Sequence, residues 1–534
     1  MRSGRLAALI VLGGLLAAGL LVEAGEDPAP PVELDRVVPG VAMPATRAET
    51  LTSTWFCAGG TATPDGIADH VIVIANPTDQ AREATLTVLT GRMAAPPAAG
   101  EGADDEGQAA EGDQAEQTEE TTTTTAAAAP PTNEAPATHV VEVPALDRVE
   151  VALADIVEAP LAGAVVEIDG GGVAVEHQVT GDGGRATAPC STTTSDRWVF
   201  PWGVTTRGNR ELLVLMNPFP DDATVDATFA TDQGTREPAR LQGLVVPRRS
   251  MVGVFVDEDM RREQVSALID VRGGRIVVDR IQVFDGTDGR EGITLAHGAP
   301  VPAEVWTFPT GETADGLEEQ VVVLNPSDEV AEVEVEVLVD GLDPEEDIPP
   351  EPFSLTVPQG RYSLVNLHAE ERIPTGTKGH AIVVRSLNGV PIAAERVNAA
   401  GEPATNRGIT ATLGSPFEAT RWIFAAGGPD AAARDQLLVL QNPSADTVTY
   451  DVTGFSGGQT IALQNLQGRE IAPGGRAVIR LGDHIDRERL SVVVEASAPI
   501  VAERGLYAIG GRGMAISMGI PFADGVVVPD PLEG

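Results

Sequence analysis

Val321-Val322-Val323-Leu324-Asn325-Pro326, followed five residues on by Ala331-Glu332-Val333-Glu334-Val335-Glu336-Val337, is the stretch that decides the fold. In the second run valine and glutamate alternate with a period of two, which puts the valines on one face and the glutamates on the other. That is the pattern of a strand with one buried side. The first run is apolar throughout and stops at proline, a residue that cannot donate a ladder hydrogen bond and so belongs at strand ends.

Working outward, the same stretch occurs four times. Each Asn-Pro (Asn76, Asn217, Asn325 and Asn442 with the proline that follows) lies about twenty residues after a tryptophan that opens a Trp-x-Phe or Trp-x-x run: Trp55, Trp198, Trp306 and Trp422. The tryptophans are spaced by 143, 108 and 116 residues and the asparagines by 141, 108 and 117, so two independent markers stay in step. Beyond Asn-Pro, each copy has an alternating strand, a Gly-containing turn and an apolar-Pro or Ala-Pro junction (Val143, Val246, Val357 and Ala472 before proline). A further strand follows, then an acid-base pair and a closing strand. The pairs are Glu176-His177, Asp279-Arg280, Glu395-Arg396 and Glu503-Arg504. About seven short strands in roughly 110 residues is the density of a β-sandwich. The expected fold is all-β: four tandem β-sandwich, immunoglobulin-like repeats after an N-terminal apolar segment. The expected divisions are 1–24, signal peptide or membrane anchor; 25–49, linker; 50–192, 193–301, 302–417 and 418–523, the four repeats; and 524–534, a tail. Asp257 to Ala267 is the best helical stretch, read as a crossover between strands.

Copy 1 is longer because residues 93–138 turn to Ala, Gly, Asp, Glu, Gln, Thr and Pro, too polar to offset the entropy of ordering, and are expected to form a disordered loop. The Thr121 to Thr125 run within it is a candidate for O-linked sugar.

Arg2 and Arg5 precede an uncharged apolar run from Leu6 to Val22, the layout of a signal peptide or an uncleaved anchor. Either one sends the rest of the chain across the membrane, and with the arginines inside the body lies outside. The membrane is therefore one expected partner, through this segment. The net charge of −43, with Lys378 the single lysine, disfavours nucleic acid, whose phosphates such a field repels. In an oxidising compartment the two cysteines are expected to pair. Cys57 takes the place of Phe200, Phe308 and Phe424 in the first strand, and Cys190 aligns with Gly298 and Gly414 in the last, so a Cys57–Cys190 bridge across copy 1 is expected.

Taken together, Trp-x-Phe, Leu-x-x-x-Asn-Pro, Val-Pro and Pro499-Ile500-Val501-Ala502-Glu503-Arg504 resemble a repeat of actinobacterial envelope proteins catalogued as a domain of unknown function. The resemblance covers roughly residues 50 to 523; copy 1 departs from it most, with His177 in place of arginine. It implies an envelope location and repeated β architecture, and supplies no catalytic residues.

Gly454-Phe455-Ser456-Gly457-Gly458 has the spacing of a hydrolase elbow but falls where the other copies have a hairpin turn. The seven histidines lack metal-ligand spacing, and no cofactor is expected. Adjacent strand residues face opposite ways, so each acid and its neighbouring base cannot simply pair; the arginine is expected to meet a carboxylate on another strand or copy. Trp202, outside the repeat register, is a candidate for exposure. The leading expectation is a non-enzymatic envelope spacer, scaffold or adhesive, a rod of copies meeting end to end with an envelope protein or glycan as partner. A cell-wall or capsular glycan-binding module is the alternative, and an enzyme the least favoured reading.

Overall fold

The computed structural model describes residues 45–47, 50–97, 135–342, 347–373, 379–404, 407–427, 434–487, 489–508 and 513–529. The apolar N-terminal segment, most of the linker and most of the 93–138 insertion, the Thr121 to Thr125 run included, lie outside them. Among the described residues no helix is long and apolar enough to cross a membrane.

Copy 3 shows the pattern most plainly. Its strands are Val305–Glu312, Leu317–Asn325, Ala331–Val339, Phe353–Val357, Arg361–Asn366, Gly379–Ser386, Ala393–Ala400 and Gly408–Leu413. The copy thus has eight strands, one more than the sequence suggested. The first, sixth, third and fourth form one antiparallel sheet, and the fifth, second, seventh and eighth another. Along Ala331–Val339 the even-numbered glutamates sit outside while Val333, Val335 and Val337 are buried. These valines pack against Val321, Val323 and Trp306 in one core, joining the two sheets into a sandwich. The same two strand orders recur in the stretches before and after it, and one sheet of copy 1 runs on into one sheet of copy 2 through a parallel ladder of Gly91–Met93 with Met251–Gly253. In copy 4 the sixth and seventh strands merge into the 18-residue Ser491–Ala508, which crosses from one sheet to the other.

The recurring asparagine is a bracket. Asn325 Nδ2 donates to Glu329 O and to Val357 O, while its Oδ1 accepts from Ser327 N. It thereby ties the turn after the second strand to the Val-Pro junction after the fourth. Asn76, Asn217 and Asn442 make the corresponding bonds. Three tryptophans are buried and anchored alike: Trp198, Trp306 and Trp422 each donate Nε1–H to the carbonyl of Ile276, Ile392 and Ile500. Trp55 is fully buried in the same position, but its Nε1 has no partner among the described residues.

Gly298, Gly414 and Gly519 each lie under the ring of the first-strand phenylalanine: a Cβ on them would meet Phe200, Phe308 or Phe424 at 2.7–2.8 Å. In copy 1 the pair becomes Cys57 and Cys190, which form a disulfide with Cα atoms 4.8 Å apart. Cys190 N–H bonds Val175 O as Gly298, Gly414 and Gly519 bond theirs, so the backbone is unchanged and only the filling differs. The Gly454–Gly458 motif is a hairpin turn between Val448–Ser456 and Gln459–Ala462, with Gly457 and Gly458 at φ 61° and 77°. Asp257 to Ala267 holds a single 3-10 turn, Val256–Glu258, before the next strand.

The copies do not form the expected rod. The closing strands Gly184–Pro189, Glu291–His297, Gly408–Leu413 and Met514–Met518 each contact the next, and the last contacts the first. They approach closely where glycine allows it: a Cβ on Gly292 would lie 2.8 Å from Ile409, and one on Gly408 2.7 Å from Met514 N. Copy 4 also meets copy 1 through Arg148, which donates to Ala425 O and Gly427 O, and through Gly458 N–H to Leu146 O. Ala45, ahead of copy 1, bridges Pro521 and Ala523. The described body is a closed ring of four sandwiches.

Replacing both cysteines by alanine is expected to cost about 2–5 kcal/mol of unfolding free energy, the usual toll of losing a native disulfide. The double substitution C57F/C190G, which installs the filling used by the other copies, should recover part of it. Denaturant titration of the three proteins checks this, and equal loss in both variants would contradict the exchange.

Candidate functional site

The acid-base pairs that recur in the sequence lie at the four seams of the ring. Each side chain points as strand geometry requires, the acid towards the preceding copy and the base into its own. Arg280, Arg396 and Arg504 sit 5.6, 5.4 and 5.5 Å over the rings of Phe200, Phe308 and Phe424 of their own copies. Each also donates to the carbonyl two residues past that phenylalanine: Trp202 O, Thr310 O and Ala426 O. The carboxylate of the next copy enters at this point.

At the seam between copies 3 and 4, Glu503 accepts from Thr310 N–H (2.8 Å) and from both terminal nitrogens of Arg396 (2.7 and 3.2 Å). Between copies 2 and 3, Glu395 accepts from Trp202 N–H (3.0 Å) and from both terminal nitrogens of Arg280. In both seams the preceding residue is proline, Pro309 or Pro201, which has no N–H to offer. Between copies 4 and 1 that residue is Ala425. Glu176 there accepts two backbone N–H bonds, from Ala425 (3.1 Å) and Ala426 (2.9 Å), and a single bond from Arg504 (3.0 Å). Three donors thus serve each of these carboxylates, divided between backbone and guanidinium according to whether proline stands in the loop. The acids and arginines of these three seams are 0 % exposed, where an unpaired charge would cost several kcal/mol.

The seam between copies 1 and 2 differs. Asp279 accepts from Ala58 N–H (2.9 Å) and Gly59 N–H (2.8 Å), but no guanidinium among the described residues bonds it; His177 Nε2 is 3.8 Å from its Oδ2. The substitutions are linked. Cys57 replaces the phenylalanine on which an arginine would lie, and the arginine itself has become histidine. A Cβ on Gly59 would be 3.3 Å from that of Asp279, so at this seam the short acid reaches both N–H groups. Burial pushes the Asp279 carboxyl up to about 7, against the pull of its two N–H donors.

Behind each seam lies a second polar position that the sequence reading missed, six residues before the bracket asparagine: His70, Glu211, Glu319 and Gln436. All four are buried, yet each lies among other polar residues at the start of its strand, so the sequence offered no local signal that set them apart. Burial works to raise Glu319, but the His380 imidazole at 2.7 Å, with Arg396 and Asn398, outweighs it and holds the carboxyl below its ordinary range. Glu211 lacks such a histidine; burial pushes it up to about 8 although Arg280 is nearby.

Trp202, expected to be exposed, is 1 % exposed. It fills the seam between copies 2 and 3, packing on Phe284, Val322, Val397 and Ile409. Thr310 holds the corresponding place in the next seam, where a cleft of about 1330 Å³ lies between copies 3 and 4, lined in part by Glu312, Tyr450, Arg476 and Tyr507. Among the described residues, no group of three His, Cys, Asp or Glu side chains is arranged to hold a metal ion.

Comparison with known proteins gives a partial match. A model described as "Family of unknown function (DUF5719)" matches residues 169–288, from the end of the sixth strand of copy 1 through most of copy 2. Among solved structures, the crystal structure of Thermotoga maritima 1070 is similar at 21% identity, covering 21% of this chain and 94% of that one, with a TM-score of 0.18. No curated protein matches the chain.

Because the Glu211 pKa is raised, its contribution is complete below about 4.5 and is lost as pH rises through about 8. Glu211→Gln should therefore gain stability relative to the wild type between pH 6 and 9. Urea midpoints of the two proteins across that range test this; a constant difference would contradict it.

Proposed function

We propose that this chain is a non-enzymatic protein of the cell envelope, exported or anchored through its N-terminal segment, whose ring of sandwiches serves as a rigid scaffold. The observation that carries the reading is the placement of the recurring charged residues. Glu176, Asp279, Glu395 and Glu503 are 0–2 % exposed and are engaged in joining one copy to the next. Their recurrence is thus explained by architecture, as is that of Trp55, Trp198, Trp306, Trp422 and the four bracket asparagines. The buried Cys57–Cys190 disulfide suits an oxidising compartment. The partial match to a family of unknown function is compatible with the envelope repeat that the sequence motifs resemble.

A glycan-binding role is the second reading, favoured by the cleft between copies 3 and 4. Tyr507, half-buried, contributes aromatic surface there beside carboxylates and Asn398, a mixture suited to hydroxyl-rich ligands. Pull-down on purified cell wall with the wild type and Tyr507→Ala separates the two readings. Retention that Tyr507→Ala abolishes supports glycan binding; no retention leaves the scaffold.

Localisation tests the main proposal. In cells making the full chain, external protease should digest the body without lysis, and maleimide should label neither cysteine until reductant is added. A body protected in intact cells, with both thiols free, would contradict an extracytoplasmic location.

A further inference from the structure

One sheet of each sandwich ends, on the side of the preceding copy, in the fifth strand: Asp147–Ala152, Ser250–Phe255, Arg361–Asn366 and Arg476–Arg480. What meets that edge differs from seam to seam. In copy 2 it is taken. The third strand of copy 1 runs on, and Gly91–Met93 pair in parallel with Met251–Gly253, with Ala94 N–H donating to Gly253 O at 2.7 Å. Glycine permits the approach, since a Cβ on Gly91 would lie 2.4 Å from Met251 O. In copy 3, Tyr362 and Leu364 pack on the cluster around Trp202, and in copy 1 the carbonyl of Arg148 accepts from Arg489.

In copy 4 the edge is open. Arg476–Arg480 pairs on its inner side with Arg434–Gln441, and the register continues into a bond from Asn442 N–H to Gly475 O. Antiparallel pairs alternate between bonded and non-bonded, so Arg476, Val478 and Arg480 turn their own N–H and C=O outwards. All three line the cleft between copies 3 and 4. Among the described residues no hydrogen bond reaches the N–H or C=O of Val478, which is 53 % exposed. Val478 holds the place of Gly253, and Asp340 that of Gly91. Copy 3 turns away there through Gly341 at φ 61°, and the Asp340 carboxylate meets the Arg476 guanidinium at 2.8 Å where copy 1 brings backbone to backbone.

We propose that this open edge is a docking site for an extended, basic segment of a partner protein, which adds to Arg476–Arg480 as a parallel strand in the way Gly91–Met93 adds to Met251–Gly253.

An unpaired edge is a template for strand addition, the backbone giving affinity and the side chains selectivity. The occupied edge in copy 2 defines the register. A Cβ on Gly253 would meet Met93 Sδ at 2.6 Å, so Val478 in that place calls for a small residue opposite, alanine, serine or threonine. Arg476 and Arg480 are paired with Asp340 and Asp435. Of the other lining charges, Glu312, Asp315 and Asp483 outnumber Arg469, which favours lysine or arginine on the guest. The glycan reading concerns the same cleft but works through Tyr507; a strand works through the Val478 backbone.

Fluorescence anisotropy with the full chain tests the proposal. The probe is a capped, labelled peptide of residues 88–95, Val-Leu-Thr-Gly-Arg-Met-Ala-Ala, carrying Met93→Ala. It should bind saturably, and less tightly as salt rises. N-methylation of its Ala94 amide, the donor to the edge in copy 2, should weaken binding about tenfold or more. N-methylation at residue 93, whose amide faces away, should change it by less than about threefold. Val478→Pro removes an outward N–H, leaves the bonds to Arg434–Gln441 in place, and should also cost about tenfold. No saturable binding to the wild type, as when another stretch of this chain holds the edge, would overturn the proposal. So would indifference to salt, equal loss from the two methylations, or full binding by Val478→Pro. Should that variant not fold, the two methylated peptides decide alone. Cell-wall retention that Tyr507→Ala abolishes, without peptide binding, would give the cleft to a glycan instead. The scaffold reading rests on the buried seams and survives either failure.

Discussion

The structure depends on a carboxylate pushed out of one sandwich into the neighbouring one and buried there. Such a group is tolerated only when its lone pairs are met, and a missing partner at a buried ion pair costs about 3–5 kcal/mol. That penalty makes the seam selective. Only a neighbour that presents a free N–H one or two residues past the first-strand phenylalanine or cysteine, with a guanidinium or a second N–H at the right depth, can receive the acid. Because Glu176 receives its donors from copy 4, the requirement runs around the whole chain and closes it.

The seams reach this end by compensating routes. Proline in the loop removes a backbone donor, and the arginine then binds through both terminal nitrogens; alanine restores the donor, and one nitrogen suffices. Aromatic rings hold the guanidinium in place from below, and glycine in the closing strand makes room for those rings. Copy 1 changes the three elements together: cysteine for the ring, cysteine for the glycine, histidine for the arginine. A disulfide thus secures the sandwich whose seam has lost its arginine, and a parallel ladder of Gly91–Met93 with Met251–Gly253 ties that seam as well.

Much of this was legible in the sequence. Period-two valines gave the strands, two markers in step gave the copies, and alignment of Cys57 with phenylalanine and of Cys190 with glycine gave the disulfide. The acid-base dipeptide could be read as two groups facing opposite ways, which led to partners on other strands. What could not be read was which copy supplied the partner, since that depends on the rotation from one sandwich to the next, and no local pattern encodes an angle. For the same reason the end-to-end rod was the natural expectation. Trp202 misled because its place in the register, four past Trp198, is shared by Gly59, Thr310 and Ala426, so its burial against copy 3 has no counterpart in the other copies.

Closure of the ring is the central claim, and solution scattering by the body Val41–Gly534 tests it most directly. A closed ring has a compact core with a radius of gyration of about 24 Å, enlarged only by the polar insertion, and a single-peaked distance distribution. A radius near twice that value, with a distribution drawn out into successive peaks, would mean that the copies are strung in a line and that Arg504 does not meet Glu176.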